Sequence, residues 1–362
     1  MKKKLLVIAL VSAMLFSFIA CDDSGGGSGG GGGSVVVGKP TAWTAVADST
    51  FGTNNINAIA FGNGKFVAGG ENGKIATSTD GITWTNRNTG TIFNHVTGGL
   101  TYTSIITAIA YGGGKFVAVG YEHRYYGDTE TDIKGKMAYS TDGETWTAVT
   151  NNTFDTYYDQ IYAIAYGNGK FVAVGGGNSS GKMAYSTDGV TWTAVADSTF
   201  DTRINAIAYG NGKFVAGGGG GKMATSTDGV TWTVVTNSTF FGISVINAIV
   251  YGNSKFVAGG NGGKMSVSTN GTKWTAVDTG TLFDYTSGSN TYKGYIGAIS
   301  YGSNNFVAGG QSGKMAVSTD GTKWTAVADS TFGTSRIYAI AYGNGRFVAG
   351  GERGKMAYSS GK

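Results

Sequence analysis

Residues 204–235 read INAIAYGNGKFVAGGGGGKMATSTDGVTWTVV, and versions of this stretch occur seven times along the 362-residue chain. Four segments of strand length lie within it, INAIAY, KFVAG, KMATS and TWTVV, which we name A to D. They are rich in β-branched and aromatic residues, as β-strands are. The Asn-Gly between A and B and the Asp-Gly between C and D accept the positive φ angles of tight hairpin turns. Each copy therefore predicts a four-stranded antiparallel sheet.

The copies are offset from the ends of the chain. The first tryptophan, Trp43, stands ahead of the first full copy, and the last copy stops at Lys362 before its own Trp. A ring of stacked sheets buries the faces that a single sheet exposes, and it explains both irregularities if the first strand completes the last sheet. We therefore predict an all-β fold, a seven-bladed β-propeller of four-stranded antiparallel blades, whose N-terminal strand at residues 41–46 closes the last blade beside residues 355–359.

The N-terminus has the pattern of an export signal. Lys2 to Lys4 precede an apolar run over residues 5–20, and the only cysteine, Cys21, follows directly. This is the order of a secretory signal peptide. Ala20 before Cys21 resembles the lipobox of bacterial lipoproteins, which implies cleavage at the cysteine and a diacylglycerol on its thiol. The alternative is a buried or free thiol after ordinary secretion.

The residues after Cys21 predict a tether, because residues 22–39 are rich in Gly and Ser and such segments behave as flexible coil. The expected segments are a signal peptide at residues 1–20, the lipidated Cys21 with its tether at 21–40, and the propeller at 41–362. The lipoprotein resemblance implies an exported, lipid-anchored protein of the bacterial cell envelope, on the surface or periplasmic side. Its anchor would bind the membrane.

The C–D turn resembles a known motif. S-T-D-G-x-T-W occupies residues 78–84, 140–146, 186–192 and 226–232, and residues 318–324 repeat it with Lys323 in place of the second Thr. It is similar to the Asp-box of the bacterial neuraminidase (BNR) type repeat, shortened by one residue, and this resemblance implies a propeller. Since catalysis needs one asymmetric constellation, a residue repeated in nearly every blade suits a turn instead, with the carboxylate accepting backbone N–H bonds and the Trp packing between sheets. The motif residues are Asp80, Asp142, Asp188, Asp228, Asn270 and Asp320.

Two further side chains recur once per copy. An aromatic ring in each D–A connection predicts a packing wedge, at Phe51, Phe93, Phe154, Phe200, Phe240, Phe283 and Phe332. A lysine opens each strand C, at Lys74, Lys136, Lys182, Lys222, Lys264, Lys314 and Lys355. A ring of positive charge would favour an acidic ligand, but lysine at a strand edge commonly serves to solvate that edge, and this is the interpretation we favour.

The connections differ in how much their lengths vary. The A–B interval, from Ala58 to Phe66 in the first copy, is 8 residues in all seven, and the C–D interval from lysine to Trp is 10 in all six complete copies. The B–C interval is usually 6 residues but is 18 between Ala118 and Lys136, and the D–A interval of 14–17 rises to 24 in two copies. B–C and D–A connections lie at the same end of an antiparallel sheet. Every insertion is therefore predicted to project from one face of the disc.

These insertions hold the unusual residues of the chain, both histidines among them. Tyr, His and Arg on mobile loops above a rigid scaffold are typical of a recognition surface, since they give large contact areas. We predict that the loops bind a protein or carbohydrate partner, in adhesion or as an envelope scaffold; neutral drift of the loops is the alternative. The candidates are His95, Tyr102, Tyr121, His123, Arg124, Tyr125, Tyr126, Tyr157, Tyr158, Tyr285, Tyr292 and Tyr295.

The Asp-box resemblance also raises an alternative function, a sialidase-like glycoside hydrolase. Such an enzyme needs several converging arginines, a tyrosine nucleophile with a glutamate partner, and an acid/base aspartate. Two arginines, Arg203 and Arg336, open strands A, and Glu122 and Glu352 suit the same surface. Two arginines do not make the required set, so we predict that the protein is not an enzyme and has no catalytic residues.

The chain offers little to hold a metal or a cofactor, and we predict neither. Two histidines in different loops and one cysteine lack the spacing of a metal site. Residues 128–132, DTETD, carry oxygens that would suit calcium, but they lack the glycine and final glutamate of an EF-hand loop, so we favour a solvated acidic loop. The glycine-rich turns follow strands and open no helix, so no phosphate-binding loop is predicted.

The basic charge belongs partly to the signal segment. Without Lys2 to Lys4 the formal net charge of +5 falls to +2. The other lysines are spread along the copies, whereas a nucleic-acid-binding surface gathers basic residues in a patch. We therefore expect no nucleic-acid partner, and we expect a monomer.

Overall fold

The computed structural model describes residues 16–17, 39–126, 129–156, 158–177, 180–236, 242 and 244–359. These residues form seven antiparallel blades of four core strands each, which confirms the predicted seven-bladed β-propeller. Strands A of successive blades contact one another around the ring, so they line its centre, and strands D lie outermost.

The strands follow the sequence copies closely. Blade one comprises Ile56–Gly62, Lys65–Gly70, Ile75–Ser78 and Thr85–Arg87. Blade two comprises Leu100–Gly112, Lys115–Tyr126, Thr129–Ser140 and Thr147–Ala148, with His95–Thr97 added beside strand A. Blade three comprises Ile161–Gly167, Lys170–Gly177, Ser180–Ser186 and Thr193–Ala194. Blade four comprises Ile204–Gly210, Lys213–Gly218, Met223–Ser226 and Thr233–Val234. Blade five comprises Ile246–Gly252, Lys255–Gly260, Met265–Ser268 and Thr275–Val277. Blade six comprises Ile296–Gly302, Asn305–Gly310, Met315–Ser318 and Thr325–Ala326, preceded by the hairpin Asp284–Ser287 and Asn290–Lys293. Blade seven comprises Ile337–Gly343, Arg346–Gly351, Met356–Ser359 and Trp43–Ala45.

The N-terminal strand closes the ring as predicted. Trp43–Ala45 pairs antiparallel with Met356–Ser359, and the Val46 N–H continues the ladder by donating to the Met356 carbonyl at 2.9 Å. The Ser49 hydroxyl adds a bond to the Gly354 carbonyl at 2.6 Å. The first and last described parts of the propeller are therefore held in one sheet.

The hydrophobic cores lie between neighbouring blades. Trp84 of blade one, for example, packs with Phe66 of its own blade and with Ala339 and Val348 of blade seven. This confirms the predicted packing of Trp between sheets, and the predicted Phe wedges are buried to 7% exposure or less at Phe51, Phe93, Phe154, Phe200, Phe283 and Phe332. Phe240 lies outside the described residues.

The aspartates assigned to the Asp-box resemblance lie in the C–D turns and accept hydrogen bonds there. The Asp188 carboxylate accepts the backbone N–H groups of Val190 and Thr191 at 2.8 Å each and the Ser186 hydroxyl at 2.9 Å. Partial burial acts to raise the pKa of the Asp188 carboxyl, but these hydrogen bonds outweigh it and hold that pKa at about 2, below the ordinary 3.8. Asn270 accepts the equivalent two N–H bonds at 2.9 Å, so the turn does not require a charge.

The two faces of the disc are distinct. The Asn253 amide in an A–B turn donates to the carbonyl of Thr319 in the C–D turn of the next blade at 3.1 Å, which places both turn types on one face, the regular face. The Gly73 N–H in a B–C turn donates to Ser104 in a D–A connection at 2.8 Å, which places those connections together on the other face, the variable face.

The N-terminal segment is described only at Phe16–Ser17, a two-residue strand parallel to strand A of blade three, opposite Ala163 and Ile164. Cys21 and residues 22–38 lie outside the described residues. In the described part of the chain, no helix has the length and apolar character needed to cross a membrane.

Candidate binding face

Blade two carries an extension that rises from the variable face. Its strands A, B and C have 13, 12 and 12 residues, whereas strand A has 7 residues in the other blades. The extra residues pair in register, and His95–Thr97 adds a further strand beside strand A. We call this extension, residues 95–106, 119–126 and 129–135, the arm. The prediction of a mobile loop at 119–135 is wrong, because the long D–A insertion supplies a third strand that pairs with it along its length.

One side of the arm carries three of the predicted aromatic residues. Tyr121, His123 and Tyr125 alternate along strand B and so share a side, with ring centroids 5.1 Å and 5.9 Å apart in turn. Tyr121 is only 3% exposed, because it packs with Ile133 and with Tyr162 of blade three. Its predicted place in the binding surface is therefore corrected: it anchors the arm to the ring.

The opposite side of the arm is polar. The His95 and Tyr102 rings stack at 4.2 Å with an angle of 7° between their planes. The Glu122 carboxylate accepts a hydrogen bond from Lys136 Nζ at 2.7 Å and lies 3.9 Å from His95 Nδ1. The stacked pair is thus fixed next to an ion pair.

The acidic segment at 128–132 departs from its prediction. Asp132 is 7% exposed, and its carboxylate lies 3.6 Å from Lys134 Nζ and 3.9 Å from the Arg124 guanidinium. It is therefore not part of a solvated loop, because strand pairing opposite Arg124 brings it among cations. Residues 127–128 lie outside the described residues, as does Tyr157, and the Tyr126 side chain is likewise not described. Within the described part of the chain, no group of three His, Cys, Asp or Glu residues is arranged to hold a metal.

A second insertion repeats the tip of the arm on blade six. The hairpin at residues 284–293 brings Tyr285 and Tyr292 together as a cross-strand pair, with ring centroids 5.6 Å apart. The preceding residues read TGTIF before blade two and TGTLF before blade six, and the paired aromatic residues follow the Phe by two and nine positions in both. The two long D–A insertions are therefore one element used twice.

Exposed apolar side chains gather on the variable face. Five large apolar residues are well exposed among those the structure describes, and three of them belong to this face: Val96 at 71%, Tyr158 at 49% and Tyr292 at 44%. Tyr158 joins the arm directly, since its N–H donates to the Ile133 carbonyl at 3.0 Å. The other two, Ile82 and Val234, lie on a C–D turn and an outer strand.

The last candidate, Tyr295, lies in a separate cluster where strands A begin. The Tyr338 hydroxyl donates to the Glu352 carboxylate at 3.0 Å, and Arg336 Nε lies 3.3 Å from the same oxygen. The pKa of Tyr295 is raised mainly by burial of its hydroxyl and further by the nearby Tyr338. The pKa of Tyr338 is raised mainly by burial and further by the negative charge of Glu352. Both phenols therefore stay protonated.

Four of the strand C lysines bind the D–A connection before their own blade, at Lys74, Lys182, Lys222 and Lys355, whereas Lys136 binds Glu122 of strand B. Lys74 and Lys355 donate to the carbonyls of Phe51 and Phe332 at 3.1 Å and 2.8 Å. Lys182 pairs with Asp159 at 2.5 Å. These lysines therefore hold neighbouring segments together, which differs from the predicted solvation of a strand edge.

The sequence-based search for a site missed the regular face. One aromatic residue precedes the final glycine of each strand A, at Phe61, Tyr111, Tyr166, Tyr209, Tyr251, Tyr301 and Tyr342, and these rings circle the centre of that face. The signal in the sequence is the pair before each A–B turn, Phe-Gly in the first copy and Tyr-Gly in the other six, which indicates only a scaffold because it varies so little.

Comparison with known proteins supports the fold. The model of the DUF6242 beta propeller domain matches residues 27–134. The structure of YCF48 bound to D1 peptide is similar over 88% of this chain and 97% of that one, with 17% identity and a TM-score of 0.61. YCF48 from Cyanidioschyzon merolae is similar over 88% of this chain and 98% of that one, with 17% identity and a TM-score of 0.58. The WD40 beta propeller domain of Doa1 is similar over 89% of this chain and 98% of that one, with 8% identity and a TM-score of 0.58. A search of curated proteins finds no match.

Proposed function

We propose that this protein is a lipid-anchored envelope protein whose propeller binds a protein partner through the variable face. The observation that carries the proposal is the grouping of Val96, Tyr158 and Tyr292, well-exposed apolar side chains, on the one face that bears the inserted strands. Exposed aromatic side chains on rigid elements suit this role, because aromatic anchors supply much of the binding energy at protein interfaces.

The arm and the hairpin suit this role because their aromatic residues are held in place before a partner arrives. Each presents one stacked cross-strand pair, His95 with Tyr102 and Tyr285 with Tyr292. Rings that are already ordered lose little conformational entropy on binding. Two such elements, on blades two and six, would contact a single partner at two separate points.

A protein partner is favoured over a glycan at this face by analogy. YCF48, which shares the propeller fold, has a solved structure in which it is bound to D1 peptide, so a ring of this architecture holds a peptide. The analogy concerns the fold, because identity to that protein is 17%. Adhesion and envelope scaffolding both fit a tethered binder, and protease shaving of intact cells separates them, since only a surface adhesin is cleaved.

The tether is proposed from the sequence of the first 40 residues. In this account residues 1–20 are removed, Cys21 carries the lipid, and the Gly-rich residues up to 40 hold the propeller away from the membrane. A Cys21→Ser variant is then expected to lose metabolic labelling with palmitate and to leave the membrane fraction. Retained labelling would contradict the anchor.

We propose a binding role without hydrolase activity. The pair Tyr338 and Glu352 resembles a glycosidase nucleophile, but burial and the carboxylate raise the pKa of Tyr338, which makes it a poor nucleophile. Glu71 of blade one occupies the equivalent position and accepts the Asn55 backbone N–H at 2.9 Å, as Glu352 accepts that of Arg336 at 3.0 Å. The glutamate at this position therefore has a structural role in two blades, where it fixes the backbone at the start of strand A.

The experiment compares two double variants in cells. Tyr285→Ala with Tyr292→Ala removes the aromatic pair of the hairpin, and Ile82→Ala with Val234→Ala removes the exposed apolar groups elsewhere. After cross-linking of intact envelopes, a partner recovered with the unchanged protein is expected to fall at least tenfold with the hairpin variant and to persist with the control. Equal recovery with both variants would overturn the proposal.

A further inference from the structure

A funnel opens at the centre of the regular face, on the side of the disc opposite to the proposed partner surface. Its volume is about 920 Å³, within the range of about 300–1,000 Å³ that small-molecule sites occupy. The ends of strands A and the A–B turns form its wall. Its aromatic lining consists of Phe61, Tyr166, Tyr209, Tyr251, Tyr301 and Tyr342.

The aromatic lining is rigid. Each ring packs on the glycine that ends strand A of the preceding blade: a Cβ added to Gly210 would lie 2.0 Å from Tyr251 Cγ, and one added to Gly252 would lie 2.1 Å from Tyr301 Cγ. Phe61 completes the circle against Gly343 in the same way. The rings are therefore fixed before any ligand binds, which lowers the entropy cost of binding.

The lining is uncharged and rich in hydrogen-bonding groups. Among the residues that the structure describes, none that lines the funnel carries a formal charge. Tyr hydroxyls, Ser303 and the amides of Asn168 and Asn253 lie around it. These two amides donate to carbonyls of the next blade at 3.2 Å and 3.1 Å, which leaves each amide oxygen as an acceptor.

This chemistry selects the class of ligand. A carboxylate or phosphate entering the funnel would lose hydration with no cation to offset the cost. A sugar without charge offers hydroxyl donors to the amide and phenol oxygens and C–H surface to the rings. We propose that the funnel is a binding site for a neutral saccharide, separate from the protein-binding face.

Phe61 shows how the site can be tested without disturbing the fold. It fills the ring position in blade one without a hydroxyl, so packing on the glycine needs only the ring. Replacing Tyr209, Tyr251 and Tyr301 by Phe should therefore remove hydrogen bonds to the ligand and leave the ring of aromatic contacts. The matched control is Tyr285→Phe with Tyr292→Phe on the variable face.

The test applies the purified full chain to an array of chitopentaose, maltopentaose and cellopentaose, with 3′-sialyllactose and a heparin disaccharide as acidic counterparts. We expect binding to at least one neutral oligosaccharide, weaker binding to the acidic ones, and about a tenfold loss in the triple variant at an unchanged melting temperature. If the triple variant has a lower melting temperature, the single variant Tyr251→Phe should still show a loss of saccharide binding, smaller than that of the triple variant. The proposal would be overturned if the protein bound only acidic sugars or no sugar at all. It would also be overturned if the triple variant bound as well as the unchanged protein, or if the control variant lost saccharide binding.

Discussion

Single residues in this protein specify turns and close contacts that recur around the ring. The aspartates of the C–D turns accept two backbone N–H groups each, and the aromatic residues near the ends of strands A fit against glycines of the preceding blade. The role of these aspartates in turns could be predicted from the sequence, because a residue present in nearly every blade does not suit one asymmetric site. The burial of Tyr121 did not follow, because it depends on Tyr162 of the next blade, 41 positions away.

The Asp-box predicts a loss of stability in acid. Because hydrogen bonds hold the folded-state pKa of Asp142, Asp188 and Asp228 at about 2, below the ordinary 3.8, the unfolded chain binds more protons between these values. Stability should be fully present above pH 4 and fall as the pH drops towards 2. Calorimetry at pH 7, 4 and 2.5 should show this fall, and it should be smaller for Asp188→Asn, which copies Asn270. An Asn variant with the same acid loss as the unchanged protein would contradict this account.

The ring of glycines predicts a steric penalty at one position. Gly210→Ala places a methyl group 2.0 Å from the Tyr251 ring, so the ring or the strand must shift, at a cost of about 1–3 kcal/mol in the free energy of unfolding. Urea titration measures this cost. Tyr251→Phe is the control, since it keeps the ring, and it should change the unfolding free energy much less than the alanine does.

At the scale of elements, the arm is the main departure from the repeated blade. The sequence located it, because the B–C interval of 18 residues and the D–A interval of 24 exceed the usual 6 and 14–17. Its conformation was not predicted, since no other copy combines a long B–C insertion with a long D–A insertion and the pairing joins two insertions that are separate in sequence. The equivalence of the two aromatic hairpins became clear only once both were seen to form cross-strand pairs.

Shortening the arm should separate binding from folding. Replacing residues 121–134 by the short B–C connection of blade four removes His123 and Tyr125 and leaves the seven interblade cores in place. We expect an intact β spectrum by circular dichroism, a lower melting temperature because Tyr162 loses its cover, and loss of the cross-linked partner. A folded variant that still recovers the partner at the level of the unchanged protein would show that the arm is not part of the surface.

At the scale of the whole molecule, ring closure depends on one short strand. Its role was predicted from the offset between the copies and the chain ends, and the pairing of Trp43–Ala45 with Met356–Ser359 confirms it. The ligand chemistry of the two faces could not be predicted from the sequence, because it arises from side chains of different blades that only the closed ring brings together.

Removal of the closing strand should open the ring. Without residues 41–47, the edge of Met356–Ser359 and the apolar contacts of Trp43 with its neighbours are exposed. We expect a lower melting temperature and concentration-dependent aggregation, measured by calorimetry and light scattering. Deletion of residues 22–38 is the control and should change neither. Unchanged stability and solubility after loss of 41–47 would contradict the closure.

Site-specific photo-cross-linking in intact cells measures whether the variable face binds a protein. A photoreactive residue is placed at Val96, at Tyr292 and, on the regular face, at Ile82, all exposed positions. We expect adducts of one and the same protein at Val96 and Tyr292 and none of that protein at Ile82. An adduct at Ile82 with none at the other two positions would contradict binding by the variable face.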